Sequence, residues 1–78
     1  MDELRYLMVI EPAEDERGPY FSAWFPDLPG CATMAETLPE LEENAQVAIS
    51  EHIAALRELG KPVPPPRFRA GTIQVKAS

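Results

Sequence analysis

Apolar residues form short strand-like runs in the first half of the chain and recur every three or four positions in the second half. Residues 4–10 are almost continuously apolar, which predicts a central strand with much of both faces covered. Residues 11–18 are polar and acidic, with Pro12 near the start and Gly18 at the end. This composition predicts a hairpin loop longer than the common two-residue turns.

A second strand is predicted over residues 20–25, where successive side chains point to opposite faces. We expect the core face to carry Phe21, Ala23 and Phe25. The other face then carries Tyr20, Ser22 and Trp24, and we expect Trp24 at an interface or beneath the following turn. Residues 31–34 predict a short third strand.

One long helix is predicted from Leu38 to about Leu59. Thr37 is a good N-cap, Glu40 three residues later completes a capping box, and Pro39 falls in the first turn, where its missing N–H costs little. Gly60 is a natural residue just beyond the helix end. Spacings of three and four give one apolar stripe, formed by Leu41, Ala45, Ala48, Ile49, His52, Leu56 and Leu59.

Residues 61–66 contain four prolines and can form neither a helix nor a central strand. We interpret them as a stiff connector that returns the chain to the sheet; the alternative is a ligand for a proline-recognising domain. Residues 68–75 then predict an edge strand or an exchangeable terminal strand.

The chain is organised around one corner, residues 24–31, with the sequence Trp-Phe-Pro-Asp-Leu-Pro-Gly-Cys. Pro26 and Pro29 restrict the residues before them to extended geometry, and Gly30 can adopt a positive φ. Asp27 could accept backbone N–H bonds in an Asx-type turn. The simplest interpretation of the corner is a rigid structural turn.

Composition limits the classes of function. Seventy-eight residues allow one small domain, residues 1–78, of the size that oligomerisation often stabilises. A net charge of −6 argues against binding of nucleic acid by this chain alone and suits a basic protein partner. One cysteine, no membrane-length apolar run and no signal-like start indicate the cytoplasm.

Candidate chemistry is sparse. Cys31 and His52 are the one conceivable nucleophile and base, but His52 belongs to the apolar helix stripe and Cys31 directly follows a tight corner, so we interpret both as structural. No cysteine or histidine pair has metal-ligand spacing, and the carboxylates cluster in a loop and at the helix start, as a solvated surface does. We expect no catalytic residues, no metal and no cofactor.

Three segments together resemble the HicB-like antitoxin family: residues 20–31, which end in the corner, the helix start at 37–45, and the proline-bearing return at 60–66. The resemblance covers about residues 4–66. It implies a truncated ribonuclease H-like α+β fold of order β-β-β-α-β, with a three-stranded antiparallel sheet, one long helix and a short fourth strand. Ala35 stands where the family usually has glycine.

The resemblance also implies a role, since HicB-like proteins neutralise HicA, a small basic mRNA-cleaving toxin, by protein contact and often form dimers or tetramers. Many members carry a C-terminal DNA-binding module; this sequence ends at Ser78, so we expect no direct binding of nucleic acid. The residues we expect at the partner surface are Trp24, Phe25, Pro26, Asp27, Leu28, Pro29 and Gly30. Thr37, Glu40 and Gly60 are expected to be structural.

Two alternatives to an antitoxin stay open. One is an orphan oligomeric module that has no toxin partner and binds a small molecule or only itself. The other is a nuclease remnant with weak metal-dependent activity.

Overall fold

The structure, a computed structural model, describes residues 3–77. Three strands, β1 (Val9–Asp15), β2 (Gly18–Trp24) and β3 (Ala32–Ala35), precede one helix, α1 (Leu38–Glu58). The strands form one antiparallel sheet in the order β1-β2-β3, and α1 packs across β2 and β3. This confirms the α+β class and the three-stranded sheet with one long helix, a layout that fits a truncated ribonuclease H-like arrangement.

The first strand lies further along the chain than the sequence predicts. β1 begins at Val9 and continues through the segment expected to be a loop, while residues 3–8 form no strand within the chain. The hairpin turn is therefore only Glu16 and Arg17, and Gly18 follows it with a φ of 118°. β1 is also an edge strand rather than a central one, so its polar residues face solvent and resemble a loop in the sequence.

Register gives the two faces of the sheet different surroundings. Ala23 pairs with Ile10 on one side and Thr33 on the other, and this face packs against α1. Ala23 and Phe25 are almost fully buried, as predicted for the core face of the second strand. Trp24 lies on the opposite face, paired with Val9 and Ala32.

The helix has the ends that its sequence predicts. Thr37 has extended geometry, and its Oγ1 accepts the backbone N–H of Glu40 at 3.3 Å, with proline in the first turn. At the other end Gly60 takes a φ of 69°. The N–H groups of Gly60 and Lys61 donate to the carbonyls of Arg57 and Leu56, which is the Schellman arrangement.

Only the first half of the apolar helix stripe is fully covered. Leu41 and Ala45 are buried and Ala48, Ile49, His52 and Leu56 are half-buried. The prediction that the stripe extends to Leu59 is wrong, because the helix ends at Glu58 and the Leu59 side chain is 69% exposed. The core therefore lies towards the helix N-terminus, near the corner.

The C-terminal segment returns to the sheet but forms no strand. Residues 61–66 run back to the segment before β1, where the Tyr6 hydroxyl donates to the carbonyl of Pro64 at 2.6 Å. Residues 61–77 contain no strand, so the short fourth strand expected at 68–75 does not form within this chain. The radius of gyration is 15.0 Å, whereas a compact chain of this length has about 11.5 Å.

Candidate partner-binding surface

The corner after β2 consists of two consecutive tight turns. The N–H of Leu28 donates to the carbonyl of Phe25 at 2.9 Å, and the N–H of Cys31 donates to the carbonyl of Leu28 at 3.1 Å. Proline holds the second position of each turn, where its fixed φ is favourable. Gly30 has a φ of 89°, which the second turn, of type II, requires at its third position. The tight corner predicted from the sequence, with a positive φ at Gly30, is confirmed.

Asp27 ties the corner to the other end of the chain. Its carboxylate is buried and Oδ2 accepts the backbone N–H groups of Arg67 at 2.9 Å and Phe68 at 3.0 Å. The prediction that Asp27 accepts backbone N–H groups is right, but the prediction of a local Asx-type turn is wrong. The partners lie 40 and 41 residues away, beyond the reach of any local sequence pattern.

Burial divides the seven residues predicted at the partner surface. Phe25, Asp27 and Leu28 are buried, and Leu28 is fully enclosed. These three side chains hold the corner together and are not available to a partner in this structure. Trp24, Pro29 and Gly30 are exposed and Pro26 is half-buried, so the surface prediction now rests on these four.

The sheet face opposite α1, here called the open face, is left uncovered by any helix or strand within residues 3–77. Trp24 is 45% exposed and Met34 is 61% exposed. Ala32 is exposed beside them, and half-buried side chains continue the apolar character towards β1. The open face consists of Val9, Glu11, Ala13, Asp15, Tyr20, Ser22, Trp24, Ala32 and Met34.

Trp24 is held in place on the open face by an acidic residue. Its indole Nε1–H donates to Glu11 Oε1 at 2.7 Å. The two residues lie on neighbouring strands, since Glu11 pairs with Ser22 and Val9 pairs with Trp24. This hydrogen bond satisfies the indole donor and leaves the ring surface available for apolar contact. The sequence predicted Trp24 at an interface or beneath the following turn and gave no sign of its hydrogen-bond partner; the structure places it on an exposed face of the sheet.

Tyr6, before β1, holds residues 61–66 in place through a hydrogen bond to their backbone. Burial raises the pKa of Tyr6, and the nearby negative charge of Asp27 raises it further, while Arg57 opposes the change. The phenol therefore stays protonated and can donate to the carbonyl of Pro64. Tyr6 and Asp27 together fix residues 64–68 against the corner, a tether that the local sequence pattern missed.

Cys31 and His52 do line one shallow groove, together with Ala48 and Glu51. The thiol is buried and burial raises its pKa, which lowers the fraction of the nucleophilic thiolate. The expected packing role of Cys31 agrees with its burial. Within residues 3–77 no three side chains of the metal-binding types come together as a metal site.

The fold and surface define a small α+β domain with an apolar, partly acidic sheet face and two tight turns beside it. The family model described as "HicB_like antitoxin of bacterial toxin-antitoxin system" matches residues 6–75. The chain belongs to the HicB-like antitoxin family, as the sequence resemblance predicted. Comparison with curated proteins and with solved structures gives no match. The one helix of the described chain, α1, is not apolar enough to cross a membrane.

Proposed function

We propose that this chain is a non-catalytic antitoxin that binds a small basic HicA-type toxin through the open face and so blocks the toxin's mRNA-cleaving activity. The observation that carries the proposal is the uncovered apolar centre at Trp24 and Met34, bordered by the carboxylates of Glu11 and Asp15. Membership of an antitoxin family supports a toxin as the partner.

Charge and apolar surface have separate parts in this interaction. The net charge of −6 attracts a basic protein and speeds encounter. Affinity then comes from the centre of the interface, where a large aromatic side chain excluded from water contributes most. Trp24 is the best such candidate on the open face, and Pro29 and Gly30 extend the surface along the exposed rim of the corner.

The proposal assigns no reaction to this chain. The raised pKa of Cys31 supports this, because a protonated thiol is a poor nucleophile. The antitoxin would act by covering the toxin, in the cytoplasm, without touching nucleic acid itself. We also propose, independently of toxin binding, that the chain forms a homodimer or homotetramer.

Co-expression with the product of the neighbouring reading frame tests the proposed function. We expect a complex that survives affinity purification and size-exclusion chromatography when only the toxin carries a tag. Since this chain is acidic, the purification should be repeated at about 0.5 M salt, where charge attraction between exposed groups is largely screened. A complex that is lost entirely at this salt concentration would contradict the apolar interface.

The orphan module is the second candidate, and the exposed C-terminal segment, residues 67–77, favours it. A chain that self-associates but ignores the neighbouring product would establish this alternative. The nuclease remnant is tested separately by incubating the purified chain with RNA and saturating Mg²⁺ or Mn²⁺, where we expect no cleavage.

A further inference from the structure

Residues 69–77 form an arm that is exposed along its whole length. Ile73 is 86% exposed and Val75 is 76% exposed, values close to those of an unfolded chain. In an extended chain these two side chains share one face, and Thr72 and Gln74 lie on the other. β-branched residues at alternate positions are typical of a strand, yet the arm forms no strand in this chain.

The point where the arm leaves the body is fixed. The hydrogen bonds from the N–H groups of Arg67 and Phe68 to Asp27 hold the chain at the corner. Beyond this tether the chain projects, in agreement with the large radius of gyration. A nine-residue extended segment can reach about 30 Å, far enough to cross onto another molecule.

The sheet has a matching free edge. β1 is seven residues long, and only β2 pairs with it in the described chain. Helix α1 lies over β2 and β3, so the helix-side face of β1 stays uncovered: Ile10 is 41% exposed, and Pro12 and Glu14 are exposed beside it. β3 is a poorer acceptor, because it has four residues and the Met34 carbonyl already accepts Asn44 Nδ2 at 3.0 Å.

The arm and the β1 edge also carry opposite charges. Residues 69–77 contain Arg69 and Lys76 and no acidic residue. β1 contains Glu11, Glu14 and Asp15 and no cation. Pro12 has no backbone N–H, so the edge of β1 lacks one hydrogen-bond donor for an added strand. Apolar contacts and charge complementarity must therefore supply part of the specificity that a complete set of backbone hydrogen bonds would give.

We propose that the arm of one chain pairs with the free edge of β1 in a second copy of this chain, and that reciprocal exchange gives a twofold-symmetric dimer. Ile73 and Val75 cover the helix-side face around Ile10, while Arg69 and Lys76 meet the carboxylates of β1. The strand missing from each sheet is then supplied by its partner, a form of strand addition combined with exchange of a terminal element.

This dimer does not depend on the proposed toxin interaction. The arm covers the helix-side face and the outer edge of β1, whereas the toxin is proposed to bind the opposite, open face around Trp24. The two proposals can therefore fail separately, and the dimer can be measured without a toxin.

Light scattering of the full chain after size exclusion gives the first test. We expect a mass of twice 8.7 kDa for the wild type. The double variant Ile73→Asp/Val75→Asp should be monomeric, with self-association at least about tenfold weaker, because two apolar contacts are lost and two acids face an acidic edge. Gln74→Ala, between them on the other face, is the matched control and should stay dimeric.

A mixing experiment shows whether the variants are monomeric because the arm and the β1 edge of different chains no longer pair, or because the substitutions disturb the fold. Ile10→Asp damages the acceptor edge but keeps the arm, and Ile73→Asp/Val75→Asp damages the arm but keeps the edge. Each variant alone should be monomeric, with the helix signal of the wild type in circular dichroism. The mixture should form a heterodimer, because one intact arm and one intact edge remain.

Three outcomes would overturn the proposal. A monomeric wild type at about 0.1 mM would show that the arm finds no second copy at a concentration typical of weak homodimers. A dimer that survives the double arm substitution would place the interface elsewhere. Two monomeric variants that fail to combine on mixing would show that the arm and the β1 edge do not meet.

Discussion

The carboxylate of Asp27 accepts the backbone N–H of Phe68 at 3.0 Å, across 41 residues of sequence. The same oxygen accepts the N–H of Arg67, so one buried side chain joins the corner after β2 to the two residues that precede the arm. The corner is thus more than a turn. It fixes both the rim of the open face and the position from which the C-terminal segment departs.

Asp27→Ala should lower the free energy of unfolding by about 2 kcal/mol, because two hydrogen bonds to a charged group are lost while their N–H donors regain water. Chemical denaturation measures the loss, and hydrogen exchange at Arg67 and Phe68 should accelerate. Asp15→Ala is the control, since Asp15 also accepts a backbone N–H, from Arg17 at 2.8 Å, but locally and on the surface. Equal effects of the two substitutions would contradict a tether at Asp27.

Gly30→Val should destabilise the chain by more than about 1 kcal/mol, because a β-branched residue resists the φ of 89° found there. A Cβ at Gly30 would meet nothing within 4 Å, so the cost is one of backbone conformation alone. Gly71→Val is the control, since a Cβ there also meets nothing and its φ is unexceptional. Both are compared by thermal melting at a concentration where the chain is monomeric; identical melting temperatures would contradict the strained turn.

Stability should fall at alkaline pH through Tyr6. Its pKa is raised in the folded state, so its contribution is complete below about pH 10, the usual pKa of tyrosine, and is lost as pH rises through the higher folded value. Tyr6→Phe should remove this part of the pH dependence and cost about 1 kcal/mol at neutral pH, through the lost bond to Pro64. Denaturation at pH 8 to 11 measures it, with Tyr20→Phe as the control. The same alkaline loss in Tyr6→Phe as in the wild type would assign the effect to other groups.

Trp24→Ala should weaken toxin binding by about 30-fold or more, the loss typical of a central aromatic residue in an interface. Calorimetry with the purified toxin measures the change. Leu59→Ala is the matched control, because Leu59 is another large exposed apolar residue, but at the far end of α1. Equal affinities of the Trp24→Ala variant and the wild type would exclude the open face as the binding surface.

Local patterns predicted the parts of the fold that local physics determines. The helix ends follow from Thr37 and Gly60, whose capping needs only neighbouring residues, and the corner follows from Pro26, Pro29 and Gly30. The alternation in β2 placed Trp24 and Ala23 on opposite faces correctly. Each of these features is specified within about four residues.

The predictions of secondary structure and hydrogen-bond partners fail where contacts between residues far apart in the sequence determine the structure. Tyr6 and Met8 pack on the core cluster around Phe25 and Leu28 without forming a strand, so their apolar character suggested one. Residues 11–15 of β1 have the composition of a loop because the edge position of this strand leaves polar side chains exposed. The partners of Asp27 could not be predicted, since nothing near position 27 identifies residues 67 and 68.

A titration of toxin-catalysed RNA cleavage tests the proposed function most directly. Increasing amounts of this chain are added to a fixed amount of the neighbouring gene product, and the rate of RNA cleavage is followed. We predict that cleavage falls to background when the two chains reach equal concentration, and that the Trp24→Ala variant needs a large excess. Undiminished cleavage at a tenfold excess of the wild-type chain would contradict an antitoxin function.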